Sequence, residues 1–90
     1  MIIRYFADIR LLTGRKEETW TKETPDLRSL LKELAAQYGA PFANRIFEGD
    51  ELSSTMLFFI NGRDIAHLKG IDSPLGGEDV VAIFPMVAGG

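Results

Sequence analysis

The chain has 90 residues, which is the length of a single domain, and its 46% hydrophobic and 26% charged residues are typical of an ordinary globular protein. It contains no cysteine and one histidine, which excludes disulfides, thiol nucleophiles, thiolate metal sites and histidine clusters. A net charge of −3 argues against a nucleic-acid partner, and no apolar run reaches the roughly 18 residues of a membrane span.

The first predicted element is a strand over residues 2–7, with Ile3 and Tyr5 on one face and Arg4 and Phe6 on the other. No signal-peptide pattern precedes it, so a cytoplasmic location is the expectation. The segments that follow are a helical turn or loop (8–13), a turn (14–15) and a second strand (17–22).

The clearest helix pattern comes next, because six apolar side chains fall at i, i+3, i+4, i+7, i+8 and i+11 and form one stripe. The stripe consists of Leu27, Leu30, Leu31, Leu34, Ala35 and Tyr38. Thr24 is the predicted N-cap, Pro25 the predicted first helical residue, and Gly39 the predicted residue just beyond the helix. Leucines at this spacing are expected to form the core.

The second half of the chain is organised around Asn61-Gly62, a sequence that favours a two-residue hairpin turn. The predicted segments are an irregular stretch (40–54), a strand (55–60), a short partner strand (63–66), a second irregular stretch (67–79) and a final strand (80–84). The first and last strands are the most apolar, so they are placed side by side at the centre of the sheet. The predicted fold is α+β, a mixed sheet of four to five strands crossed by one main helix, in a single domain over 1–90.

The chain closes on Gly89-Gly90. Glycines have no Cβ atom and therefore pass through channels too narrow for other residues. Pro85 cannot donate a ladder hydrogen bond, so it is predicted to end the last strand and to begin a flexible tail over 85–90. Five extended residues from Met86 onward span roughly 17 Å, enough to enter a pocket of another protein.

A self-contained active site is not expected, because no Ser-His-Asp set, no cysteine and no metal-ligand spacing is present. The remaining chemical group is the carboxylate of Gly90. A carboxylate must be activated before it reacts, and adenylation by ATP is the usual cellular route. The acyl-adenylate is then captured either by sulfur, which gives a thiocarboxylate, or by an amine.

Five segments in order along nearly the whole chain match one known family. They are Ile3-x-Tyr5-Phe6-Ala7-x-x-Arg10 with Gly14, the leucine helix (27–34), Phe59-Ile60-Asn61-Gly62, Leu75-x-x-Glu78-Asp79-Val80-Val81-Ala82-Ile83-Phe84-Pro85, and Val87-Ala88-Gly89-Gly90. On these residues the chain resembles the MoaD/ThiS group of ubiquitin-like (β-grasp) sulfur carriers, and most of all the small subunit of molybdopterin synthase.

The resemblance implies a carrier with no catalytic side chains and no bound cofactor or metal. An E1-like enzyme uses ATP to adenylate Gly90, and a persulfide donor converts the adenylate to a thiocarboxylate. The tail (Pro85, Met86, Val87, Ala88, Gly89) then enters the large subunit of molybdopterin synthase, which forms a hetero-oligomer with the carrier. Sulfur passes there to a pterin precursor during molybdenum cofactor biosynthesis.

Three alternatives stay open. Met86 stands where the family's small subunit usually has a second proline, and residues 63–74 resemble the broader set of small ubiquitin-like modifiers or sulfur carriers. The first alternative is a sulfur carrier for molybdopterin synthesis. The second is a sulfur carrier for thiamin, tRNA thiolation or another product, or a protein modifier. The third is a non-reactive ubiquitin-like interaction domain. Phe6 and Phe84 match partner-binding aromatic positions of the family, although large apolar residues are also usual in a core.

Overall fold

A computed structural model describes residues 1–86 of the chain. The helices are α1 (Ile9–Thr13), α2 (Leu27–Tyr38) and α3 (Ala40–Ile46). The strands are β1 (Ile2–Tyr5), β2 (Glu17–Thr19), β3 (Phe47–Glu48), β4 (Glu51–Leu52), β5 (Met56–Ile60), β6 (Arg63–Asp64) and β7 (Val80–Pro85). Two 3-10 turns, Ile65–His67 and Gly70–Asp72, occupy the connection from β6 to β7.

Five strands form one mixed sheet in the order β2-β1-β7-β5-β6, and β3 and β4 form a separate small hairpin. The central pair, β1 and β7, is parallel, with Ile3 opposite Val81, and the other pairs in the sheet are antiparallel. The prediction that the first and last strands lie side by side at the centre is confirmed. A parallel pair needs a crossover connection, which α2 supplies.

One face of the sheet is covered by helices and the other is not. Along β7 the side chains of Val81 and Ile83 are fully buried, whereas Ala82 and Phe84 between and after them are only partly buried. The core residues are Ile3, Tyr5, Ile9, Trp20, Leu27, Leu30, Leu31, Leu34, Phe42, Ile46, Met56, Phe58, Ile60, Ile65, Val81 and Ile83. We call the uncovered face, which carries Arg4, Ala82 and Phe84, the open face.

Helix α2 follows the predicted leucine stripe, but its N-terminus differs from the prediction. The N-cap is Asp26, whose carboxylate accepts a hydrogen bond from the Ser29 backbone N–H at 2.8 Å. Thr24 is buried and its hydroxyl has no hydrogen-bond partner in the described chain, so the predicted Thr24 cap is wrong and Pro25 lies before the helix. A carboxylate at the N-cap is also favoured by the helix dipole.

The stretch 40–54, predicted to be largely irregular, contains helix α3 and the β3–β4 hairpin. Gly39 takes a φ of +90° and lies between α2 and α3, so it ends one helix and begins the next. Phe42 and Ile46 lie one helical turn apart and are both fully buried, which anchors α3 to the core. Several predicted strands are shorter in the structure, β2 most of all, since it ends at Thr19. The Trp20 backbone still exchanges hydrogen bonds with Met1, and its side chain is buried in the core.

Candidate functional site

The candidate site is the end of β7, where the chain leaves the sheet. Pro85 is the last residue of β7 and is paired with Met56, so the strand ends one residue later than predicted. The Met86 N–H donates to the Thr55 carbonyl at 2.8 Å, and Met86 is 53% exposed. Four predicted site residues, Val87, Ala88, Gly89 and Gly90, lie outside the described residues.

Both sides of β7 are held at this point. On the β5 side the hydrogen bond from Met86 to Thr55 extends the ladder beyond Pro85, and on the β1 side the Phe6 N–H donates to the Ile83 carbonyl at 3.1 Å. The backbone therefore reaches Met86 from a fixed position between two neighbouring segments. We call Pro85 and Met86 the tail root.

Phe6 and Phe84 lie together on the open face beside the tail root. Their rings meet edge to face with centroids 5.7 Å apart, and Phe59 packs against Phe84 at 5.1 Å. None of the three belongs to the buried core, and Phe6 is 37% exposed. Phe6 and Phe84 therefore lie at the surface rather than in the core. Their role in partner binding stays a prediction.

These aromatic rings form one wall of a shallow groove of about 510 Å³ on the open face. The groove is lined by Arg4, Phe6, Phe59, Ala82, Phe84 and Pro85, among others. The groove forms because Ala82 is small and lies between the larger side chains of Arg4 and Phe59 in the strand register. An apolar groove that runs to the tail root can receive an apolar side chain of another protein.

Two cationic side chains lie at the groove, because Arg4 lines it and Arg10 stacks on the lining residue Phe6. The Arg10 guanidinium lies 5.4 Å from the Phe6 ring centroid, and its Nε donates to the Tyr5 carbonyl at 2.9 Å. Arg4 pairs with Glu17 on the neighbouring edge strand at 3.7 Å. The groove therefore combines an apolar floor with a polar rim, which is the usual anatomy of a protein-binding surface.

Sequence reasoning missed three residues near the tail root. They are Asp8, Arg45 and Thr55, and the Arg45 guanidinium donates hydrogen bonds to both of the other side chains. Arg45 was overlooked because residues 40–54 were predicted to be irregular. The spacing of Phe42 and Ile46 after Gly39 is a helix signal that predicts α3, and it places Arg45 in the last turn.

The shifted pKa values in the molecule belong to structural hydrogen bonds rather than to the groove. Burial raises the pKa of the Tyr5 hydroxyl and of the Tyr38 hydroxyl, and both donate to Glu18. Backbone N–H groups lower the pKa of Asp26 at the α2 N-cap and of Glu48 in the β3–β4 hairpin. The groove therefore offers a shape and an apolar contact surface rather than a side chain with a shifted pKa.

Two further properties concern the described residues only. Within residues 1–86 no group of three histidine, aspartate or glutamate side chains is placed to hold a metal ion. None of the helices in that part of the chain is long and apolar enough to cross a bilayer.

Comparison with known proteins agrees with this architecture. The family model described as the ThiS family matches residues 3–90. Small archaeal modifier protein 3 of Haloferax volcanii is 34% identical over 89 residues, which cover 98% of this chain and 96% of the relative. The match therefore includes the segment from the tail root to Gly90.

Solved structures give the same picture. Small archaeal modifier protein 1 from Methanosarcina acetivorans superposes with a TM-score of 0.82 at 28% identity, covering 99% of this chain and 93% of that one. A Pyrococcus furiosus structure with the provisional name molybdopterin converting factor, subunit 1, has a TM-score of 0.74 at 28% identity, covering 96% of this chain and 95% of that one. The predicted β-grasp fold is confirmed, and the chain belongs to the ThiS family of ubiquitin-like sulfur carriers and modifiers.

Proposed function

We propose that this protein carries sulfur on the carboxylate of Gly90 and delivers it, as the small subunit of a molybdopterin synthase, during molybdenum cofactor biosynthesis. The observation that carries the proposal is the placement of the apolar groove, which ends at the tail root, four residues before Gly90. A partner that binds the groove is thereby positioned to receive the last residues. The proposal takes Gly90 as the final residue of the working protein.

The chemistry proceeds in three balanced steps. The Gly90 carboxylate attacks the α-phosphorus of ATP on an E1-like enzyme, forming the acyl-adenylate and releasing pyrophosphate. A protein persulfide attacks the acyl carbon, forming an acyl disulfide and releasing AMP. A thiol then reduces the disulfide, which leaves the thiocarboxylate on Gly90 and a new disulfide on the donor side.

The domain's part in these steps is docking and presentation. Phe6 and Phe84 supply apolar contact to the E1-like enzyme and, in turn, to the large subunit, and Phe59 supports Phe84 from the neighbouring strand. Pro85 and Met86 set the point from which the tail enters the partner. No side chain of this chain needs to donate or accept a proton, so the reacting atoms are those of Gly90 and of the partners.

A second candidate is conjugation to proteins, in which an amine captures the activated Gly90 and forms an isopeptide bond. The observation that favours it is the 34% identity to a protein named as a small archaeal modifier, over almost the full length of both chains. The two functions share the adenylation step and the groove. They differ only in the nucleophile that takes the acyl group.

The decisive experiment is intact mass spectrometry of the protein after incubation with its host's cell extract, ATP and a sulfur source. A mass gain equal to the exchange of oxygen for sulfur, absent in a variant lacking Gly90, is the expected result. The unfolding midpoint of that variant serves as the folding control. Adducts on lysines of other proteins, with no thiocarboxylate, would contradict the carrier function and support the modifier function. An unmodified mass would contradict both and support a non-reactive interaction domain.

A further inference from the structure

The guanidinium of Arg45 joins two segments that are distant in sequence. It lies in the last turn of α3, its Nε donates to Asp8 Oδ2 at 3.0 Å, and its Nη1 donates to Thr55 Oγ1 at 2.9 Å. The Arg45 side chain is 28% exposed, so water competes only in part with these bonds. One planar group thus makes two directed hydrogen bonds to two different parts of the chain.

The two anchors lie on the segments that flank the end of β7. Asp8 lies two residues after Phe6, whose N–H donates to the Ile83 carbonyl, and the carbonyl of Thr55 accepts from the N–H of Met86. Arg45 therefore connects the β1 side and the β5 side of the tail root. If either neighbour moves, the hydrogen bond that holds β7 on that side is strained.

Each anchor is itself held by local structure. Ala7 has a φ of +53°, and this left-handed residue turns the backbone between Phe6 and Asp8. The Thr55 hydroxyl shares a 2.8 Å hydrogen bond with Ser53 Oγ, which also donates to Glu48. Arg45 consequently bridges two ordered loops rather than two free side chains.

Position separates this ion pair from the others on the surface. Arg28 and Asp72 form a pair of similar length, 3.1 Å, but it joins α2 to a 3-10 turn on the connection before β7 and involves no residue of the tail root. Exposed ion pairs contribute little to global stability. The consequence of losing Arg45 is therefore expected locally, at the end of β7.

We propose that Arg45 is a positioning residue that braces the tail root, holding Phe6 and Thr55 against the two sides of β7 and so fixing the backbone at Met86. Its effect on delivery of Gly90 rests on the proposed function. A root that is fixed before binding leaves less conformational freedom to be lost when a partner takes up the tail. Lysine cannot replace arginine fully, because one ammonium lacks the planar fork that serves both anchors.

The first test is amide hydrogen exchange by NMR on the whole protein. In Arg45→Ala, exchange at Met86 and Phe6 is expected to speed up by about tenfold, the order of effect for losing a charge-assisted hydrogen bond, while core amides of β7 keep their protection. Thr55→Val removes the hydroxyl but keeps the carbonyl acceptor, so it should accelerate Met86 more than Phe6. Arg28→Ala is the matched control and should change neither amide.

The second test is the initial rate of thiocarboxylate formation as a function of carrier concentration, at a fixed amount of host extract with ATP and a sulfur source. Arg45→Ala is expected to lower kcat/KM by about tenfold, mainly through KM, with Arg45→Lys intermediate and Arg28→Ala unchanged. Because unfolded carrier would raise the apparent KM, concentrations are corrected for the folded fraction measured by urea unfolding. A purely structural role would then leave the corrected KM unchanged.

The two tests can contradict different parts of the proposal. Unchanged exchange at Met86 and Phe6 in Arg45→Ala would overturn the brace, whatever the charging rates. Faster exchange with an unchanged KM would overturn its role in delivery, while charging of the wild type would still support the proposed function. A wild-type protein that is never charged would sink the proposed function alone, because the exchange measurement decides the brace without it.

Discussion

The two faces of β7 carry similarly apolar side chains in opposite surroundings. Val81 and Ile83 point to the covered face and are fully buried, while Ala82 and Phe84 point to the open face and line a groove. Burial of apolar surface stabilises the fold by about 25 cal/mol per Å². The side chains of the covered face contribute this stabilisation in the folded domain, whereas those of the open face remain partly accessible to water.

The side chains of the covered face stabilise the fold, whereas those of the open face form a surface groove. The covered face also carries one charged side chain, Glu18 on the edge strand β2, opposite Ile3. It is held in place by hydrogen bonds from two tyrosines. On the open face Arg4 stays half exposed in its ion pair with Glu17. Substitutions on the two faces should therefore have different consequences.

The largest effect is expected from truncation on the covered side. Leu31→Ala removes a fully buried side chain of α2 and should lower the free energy of unfolding by about 2–5 kcal/mol. Leu11→Ala is the control, because Leu11 is 85% exposed and its truncation should change stability by less than about 0.5 kcal/mol. Urea unfolding of both variants measures the contrast, and equal losses would contradict the assignment of the core.

A smaller loss is expected where the covered face carries its buried charge. Both tyrosine hydroxyls donate to the same oxygen, Glu18 Oε1, and Oε2 pairs with Arg15. In Glu18→Gln the amide oxygen still accepts from the tyrosines, but the two bonds lose their charge assistance and the ion pair with Arg15 is lost. The free energy of unfolding should fall by about 1–3 kcal/mol. Combining the change with Tyr38→Phe should cost less than the sum of the two, and strict additivity would show that these groups do not act as one network.

On the open face the effect on stability should be smaller than the effect on function. Phe84→Ala loses its aromatic contacts with Phe6 and Phe59, worth about 0.5–1.5 kcal/mol per pair, without opening a cavity in the core. Gly90 charging in host extract should nevertheless fall by about tenfold or more, as for a buried anchor of an interface.

Thr19→Ala, an exposed change on the edge strand β2, is the matched control for Phe84→Ala. It should leave charging unchanged. Charging that survives Phe84→Ala would mean that the open face is not the docking surface, and the groove would then need another explanation.

The smallest expected effect is on stability in acid, and it arises at the N-cap of α2 rather than on either face of β7. Asp26 has a pKa lowered below its ordinary value of 3.8, chiefly by the hydrogen bond from the Ser29 backbone N–H. Its contribution is therefore present above 3.8 and is lost as the pH falls through the lower folded value. Asp26→Asn keeps a favourable N-cap without the charge, so urea midpoints of the two proteins should converge in acid. A constant difference between them at every pH would show that the Asp26 charge does not stabilise the helix.

Much of this protein follows from the chain alone. The leucine stripe of α2, the Asn61-Gly62 hairpin and the two apolar strands at the centre are local periodicities and turn signals, and the structure has each of them. Asn61 and Gly62 both take positive φ, as a two-residue turn of this type requires. Local patterns are predictable because they depend on neighbours within one or two turns of the backbone.

The tertiary structure decided what depends on residues far apart in sequence. Asp26 rather than Thr24 caps α2, because packing buries Thr24 while the Asp26 carboxylate meets the first turn. The sequence showed Phe6 and Phe84 as apolar, but only the sheet register brings them together on the open face. Arg45 joins Asp8 to Thr55 across separations of 37 and 10 residues, and such bonds exist only once α3 is packed in place.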